Sequence, residues 1–136
     1  MEAIWDHIVL NVDDEEKMVR FYRDVLRFPP ERLDAYRQGE VPFPSVRVNA
    51  DTIIDFFPKS MWSGTDQGIK GKPNLNHFCI ACSKSDWAAL GKRLKENNIS
   101  IEDGPGKRWG ARGEGISIYF RDPEENLVEV RYYEEK

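Results

Sequence analysis

The chain holds only two histidines, His7 and His77, and each stands near the start of a strand-like run. The first run is Asp6-His7-Ile8-Val9-Leu10-Asn11-Val12, and the second is Asn76-His77-Phe78-Cys79-Ile80-Ala81-Cys82. Each histidine has a matching carboxylate further along. Asp55 sits in Ile53-Ile54-Asp55-Phe56-Phe57, 48 positions after His7, and Glu129 sits in Leu127-Val128-Glu129-Val130, 52 positions after His77. Two imidazoles and two carboxylates form a ligand set for a divalent metal, and Zn²⁺, Ni²⁺, Mn²⁺ and Fe²⁺ all suit it. A metal so held can chelate two adjacent oxygens of a small substrate. A single strand histidine is more often a hydrogen-bonded structural residue than a ligand. Four such residues at repeat-equivalent places weigh towards a metal site. Asp55 is the least secure of the four, being a carbon shorter than Glu.

The elements that must position these residues come in two copies. Residues 4–12 alternate as a strand, with Ile8, Leu10 and Val12 on one face and His7, Val9 and Asn11 on the other. Asp13 or Asp14 caps a helix whose Met18, Val19, Phe21, Tyr22, Val25 and Leu26 form an apolar stripe. Strands are expected near Leu33–Arg37, Ser45–Asn49 and Thr52–Phe57, the last two joined by a turn at Asn49-Ala50-Asp51. The second copy repeats the order. His77–Cys82 is a strand, and Ser83 or Ser85 caps a helix that ends at Asn97-Asn98. Ile99–Ile101 reads as a short strand, Asp103–Gly115 as a glycine-rich loop, and Ile116–Arg121 and Leu127–Tyr133 as final strands. Module 1 covers about 3–58, a linker about 59–75 and module 2 about 76–134, within one domain of 136 residues. In every strand that carries a candidate ligand, the ligand lies opposite the apolar face. Two such units pair because one alone leaves a sheet face uncovered.

Composition narrows the partners. A net charge of −4 argues against a nucleic-acid surface. No apolar run is long enough to span a bilayer, and the first residues lack the basic and apolar regions of a signal peptide, so cytoplasmic localisation is expected. Cys79 and Cys82 have redox-motif spacing, yet in a strand they face opposite sides, which favours structural thiols. In the glycine-rich loop, Lys107, Arg108 and Arg112 can grip an anionic substrate or thiol cosubstrate while Trp109 covers an apolar part; an ordinary solvated turn is an equal reading. Tyr119 shares the ligand face, and Met61 and Trp62 either line the same mouth or pack the linker.

Two stretches carry a resemblance. The start, with Arg20-Phe21-Tyr22-Arg23-Asp24-Val25-Leu26-Arg27-Phe28 after the first strand, resembles the opening of the vicinal oxygen chelate superfamily, the group of glyoxalase I, fosfomycin-resistance enzymes, extradiol dioxygenases and bleomycin-binding proteins. Tyr119-Phe120-Arg121-Asp122-Pro123-Glu124-Glu125-Asn126-Leu127-Val128-Glu129-Val130 resembles its closing motif. Arg27 and Glu125 stand where that pattern has glycine.

The resemblance implies an α+β fold of two paired β-α-β-β-β modules, forming a cup-shaped mixed sheet with helices on the outer face. It implies His7, His77 and Glu129 as metal ligands, Asp55 as the fourth, and a homodimer. The leading expectation is a metal-dependent glyoxalase I-like enzyme, of lyase or isomerase type, acting on a small oxygenated substrate. Asp55 or Glu129 would be the base that moves a proton beside the carbonyl. A three-ligand set of His7, His77 and Glu129 suits epoxide opening of the fosfomycin-resistance kind, or Fe²⁺-dependent dioxygenation. A metal-free, bleomycin-type small-molecule binding protein is the alternative of another class.

Overall fold

Alternating apolar residues build the edge strand of each sheet, and an amphipathic helix follows each one. The computed structural model describes residues 2, 4–63 and 75–135. The chain divides into two units, Met1–Pro73 and Asn74–Lys136. The linker expected over 59–75 is described only in part, because its residues 64–74 lie outside the described residues.

The first unit runs β1 (His7–Asn11), α1 (Glu15–Asp24), β2 (Pro30–Glu31), α2 (Leu33–Arg37), β3 (Ser45–Arg47), β4 (Ile53–Phe57) and α3 (Lys59–Trp62). Its sheet has the order β1-β4-β3-β2, with β1 parallel to β4 and the other pairs antiparallel. Asp14 caps α1 by accepting from the Lys17 amide at 3.0 Å. Met18, Val19 and Tyr22 of α1 are buried, as are Leu10, Val12, Val46, Ile54 and Phe56, which form the core on one face of the sheet. The opposite face carries Asp55 and its cross-strand partners Val9 and Ser45.

The second unit runs β5 (Phe78–Ala81), α4 (Lys84–Glu96), β6 (Asp103–Gly110), β7 (Gly113–Arg121) and β8 (Leu127–Tyr132). Its order, β5-β8-β7-β6, repeats the first sheet with one parallel pair. Ser83 caps α4 through the Asp86 amide. Leu90 and Leu94 of the helix and Ile118, Phe120, Val128 and Val130 of the sheet are buried. The fold is thus α+β, with a four-stranded mixed sheet in each unit.

Three local expectations need correction. Leu33–Arg37 is helix rather than strand, because Tyr36 and Arg37 turn to bond Glu15 and Glu16 of α1. Ile99–Ile101 is not a strand: Asn98 takes φ 56° and the Ile99 amide returns to the Leu94 carbonyl, so this segment closes α4. The glycine-rich loop is a β-hairpin, with β6 and β7 joined at Gly110-Ala111-Arg112-Gly113. No helix among the described residues is long and apolar enough to cross a membrane.

Candidate functional site

Register places each carboxylate at an equivalent point of its sheet. Asp55 pairs with Val9 on one side and Ser45 on the other, and Glu129 pairs with Cys79 and Tyr119. Both carboxylates point away from the helix-packed face and both are buried, Asp55 at 6% and Glu129 at 2% exposure. A buried carboxylate requires donors, and each has a serine. Ser45 donates to Asp55 Oδ1 at 2.6 Å, and Ser117 donates to Glu129 Oε2 at 2.6 Å.

The histidines are anchored in parallel fashion. His7 Nδ1 lies 2.7 Å from Asp6 Oδ2, and His77 Nδ1 lies 2.6 Å from Asn76 Oδ1. An oxygen at Nδ1 favours the ring proton there, which in His7 leaves Nε2 as an acceptor, the arrangement usual for a metal-ligating imidazole, whereas Nε2 of His77 faces the Glu129 carboxylate. The hydrogen bond to Asp6 raises the His7 pKa, and the Asp55 charge adds to that.

Within the second unit the structure brings His77 and Glu129 together, with Nε2 3.0 Å from Oε1. Two ligand atoms each about 2.1 Å from one metal and at right angles to each other stand about 3 Å apart, so this pair fits two positions on a divalent ion. The other candidate imidazole and carboxylate, His7 and Asp55, lie in the first unit. Among the described residues, no group of three or more His, Cys, Asp and Glu side chains stands together as a metal site.

Glu129 has further partners. Arg131 Nη2 donates to Oε2 at 2.6 Å, and both side chains are buried. Burial by itself would raise the Glu129 pKa, but hydrogen bonds from Ser117, Arg131 and Tyr119 together hold it below the ordinary 4.5. Burial likewise disfavours the charged Arg131, and its bonds to Glu129 and Cys79 more than offset that, so its pKa is raised. Desolvation pushes the Cys79 thiol up to about 11. It is therefore protonated at neutral pH and a poor nucleophile, although the residue as a whole is exposed.

The expected substrate-contacting residues divide. Tyr119 sits edge-on to the His77 ring at 5.6 Å, and the Arg108 guanidinium lies 5.8 Å from the centre of the Tyr119 ring. Arg108 pairs with Gly115 across the hairpin and so shares the face of Ser117 and Tyr119, with Asp103 as its salt-bridge partner at 2.9 Å. Arg112 stacks on Tyr133 at 4.4 Å. Trp109 alternates to the opposite face from Arg108 and is 81% exposed. Trp62 donates its indole N–H to the Val12 carbonyl at 3.1 Å, which ties α3 to the end of β1.

Ser45 and Ser117 carry no sequence signal for their role, because cross-strand register alone sets them beside the carboxylates. Asp6 and Asn76 do leave one: each histidine follows an oxygen-bearing side chain.

Comparison with known proteins identifies the family and the fold. The profile of the Glyoxalase/Bleomycin resistance protein/Dioxygenase superfamily matches residues 4–130. Virulence protein STM3117 of Salmonella typhimurium is 33% identical over 129 residues, covering 94% of this chain and 83% of that protein. Its crystal structure superposes with a TM-score of 0.79 at 28% identity, covering 98% of this chain and 99% of the other. The glyoxalase domain-containing protein RDO1 of Mycosarcoma maydis is 27% identical over 143 residues, covering 96% of this chain and 68% of that protein. By the extent of the profile match and by its relatives, this chain belongs to the Glyoxalase/Bleomycin resistance protein/Dioxygenase superfamily.

Proposed function

We propose that the chain is a divalent-metal-dependent, glyoxalase I-like enzyme of lyase or isomerase type, with His7, Asp55, His77 and Glu129 holding the metal. The observation that carries this reading is the pairing of His77 Nε2 with Glu129 Oε1 at 3.0 Å, while His77 Nδ1 and Glu129 Oε2 are already bonded elsewhere. When bound, the metal polarises adjacent oxygens of a small substrate. The residues divide the remaining work. Glu129 is kept anionic by Ser117, Arg131 and Tyr119, which makes it a steady anchor and a weak proton acceptor. Proton movement therefore falls to Asp55, whose Oδ1 is fixed by Ser45. Arg108, beside Tyr119, is placed for an anionic group of the substrate or of a thiol cosubstrate.

Elemental analysis of the purified protein tests the reading, beside His7→Ala and Glu129→Ala. About one metal per chain, lost in both variants, is the expected result; Asp55→Ala then separates four ligands from the three of an epoxide-opening enzyme or a dioxygenase. Light scattering on the same sample reads the expected homodimer. One observation favours a second reading, that of a metal-free small-molecule binder: Arg131 already gives Glu129 a cationic partner at 2.6 Å. Failure to retain or take up Zn²⁺, Ni²⁺, Mn²⁺ or Fe²⁺ would select it.

A further inference from the structure

Arg131 is 3% exposed, and all of its donors are used. Nε donates to Cys79 Sγ at 3.3 Å. Nη1 donates to the Arg108 carbonyl at 3.2 Å and the Tyr133 hydroxyl at 3.5 Å. Nη2 donates to the Trp109 carbonyl at 2.9 Å and Glu129 Oε2 at 2.6 Å. A guanidinium carries five N–H groups, so none is left for a ligand. Arg131 is thus not itself a substrate-binding residue.

The hairpin is shaped to receive it. A Cβ on Gly110 would lie 2.0 Å from Arg131 Nη1 and 2.6 Å from Cζ, and one on Gly115 would lie 3.3 Å from Cδ. Two hairpin glycines therefore form the socket of the guanidinium. One planar group joins the end of β6, at the carbonyls of Arg108 and Trp109, to the carboxylate of Glu129 on β8.

We propose that Arg131 is a positioning residue that couples Glu129 to the β6–β7 hairpin, so that whatever engages Glu129 is felt at the hairpin tip bearing Trp109. Two consequences follow from the bonding. Ser117 and Arg131 both occupy Oε2, which leaves Oε1 turned to His77. A weaker bond at Oε2 frees the guanidinium to shift, and the two hairpin carbonyls then lose their shared donor. This coupling is a property of the metal-free protein, so its failure and that of the metal-enzyme reading are distinguishable.

Amide hydrogen exchange across residues 108–113 tests it, in metal-free protein whose folding is checked by circular dichroism. Glu129→Gln keeps the shape and removes the charge that Arg131 bonds. Arg131→Lys keeps a charge and removes the fork that reaches both carbonyls. Each is expected to speed exchange at the tip at least tenfold, and the double variant is expected to be no faster than Arg131→Lys alone. Gly110→Ala, which closes the socket, should reproduce the effect. Gly91→Ala, with nothing within 4 Å of its Cβ, should not. Unchanged tip exchange in Glu129→Gln, or additive effects in the double variant, would overturn the proposal and leave Arg131 as a packing residue. Should the substituted chains not fold, guanidinium NMR on the unaltered protein decides: resolved, slowly exchanging Arg131 N–H signals support the clamp, and averaged, rapidly exchanging ones refute it.

Discussion

Two non-glycine residues occupy backbone positions where the superfamily pattern has glycine, and restoring glycine should stabilise the protein. Arg27 has φ 63° and Glu125 has φ 69°, both in the left-handed region. An L-residue there is disfavoured by about 1–2 kcal/mol because its Cβ crowds the following carbonyl. Glycine removes that cost but loses more chain entropy on folding, by about 0.5–1 kcal/mol. The net gain is about 0.5–1 kcal/mol per site. The native bonds at Glu125 are backbone ones, from its amide to the Asp122 carbonyl at 3.0 Å and from Arg121 to its own carbonyl at 2.9 Å, so glycine keeps them. For a chain of this length, 1 kcal/mol corresponds to about 3–4 °C in Tm. Glu125→Gly and Arg27→Gly should each raise Tm by about 2–4 °C, and the pair should add because they share no partner.

Calorimetry at neutral pH is the assay, with two controls. Glu125→Ala removes the same charge but keeps a Cβ, and should leave Tm within about 1 °C if conformation is what matters. Arg32 has φ 61° but also bonds the Phe43 carbonyl at 3.2 Å and lies over the Phe43 ring at 4.5 Å, so Arg32→Gly gives up contacts and gains little. A Glu125→Gly protein that melts lower than the unaltered chain would refute the reasoning.

Two further outcomes follow from the carboxylate anchors. Ser117→Ala takes one of two donors from Glu129 Oε2 and should cost about 1.5–3 kcal/mol of stability by denaturant titration, as expected for a buried bond to a charged group. The Glu129 pKa is lower folded than unfolded, so its contribution is fully present above about pH 4.5 and lost as pH falls through the folded value. The stability difference between metal-free protein and Glu129→Gln should therefore be constant above that pH and shrink below it; a difference that grew on acidification would contradict the hydrogen-bond geometry.

Much of this protein was legible in order and pattern. Alternation around His7, Asp55 and Glu129 gave both the strands and the face each of these side chains occupies, because the side-chain period of a strand is fixed at two. Asp14 and Ser83 were identifiable as caps because their short oxygen-bearing side chains satisfy amides that a starting helix leaves unbonded. Where local pattern competed with distant partners, the tertiary structure decided. Leu33–Arg37 alternates like a strand, but Glu15 and Glu16 on α1 hold it as a helix. Asp103–Gly115 has the glycine content of a loop, yet those glycines let a hairpin lie against Arg131. Ser45, Ser117 and Arg131 reach their carboxylates only through cross-strand register, a relation between residues far apart in the chain. The sequence alone thus offered the candidate residues, His7, Asp55, His77 and Glu129, by type and spacing. Register and packing determined that Glu129 is held as an anion beside His77, because only neighbours from other strands supply the donors that keep a buried carboxylate charged.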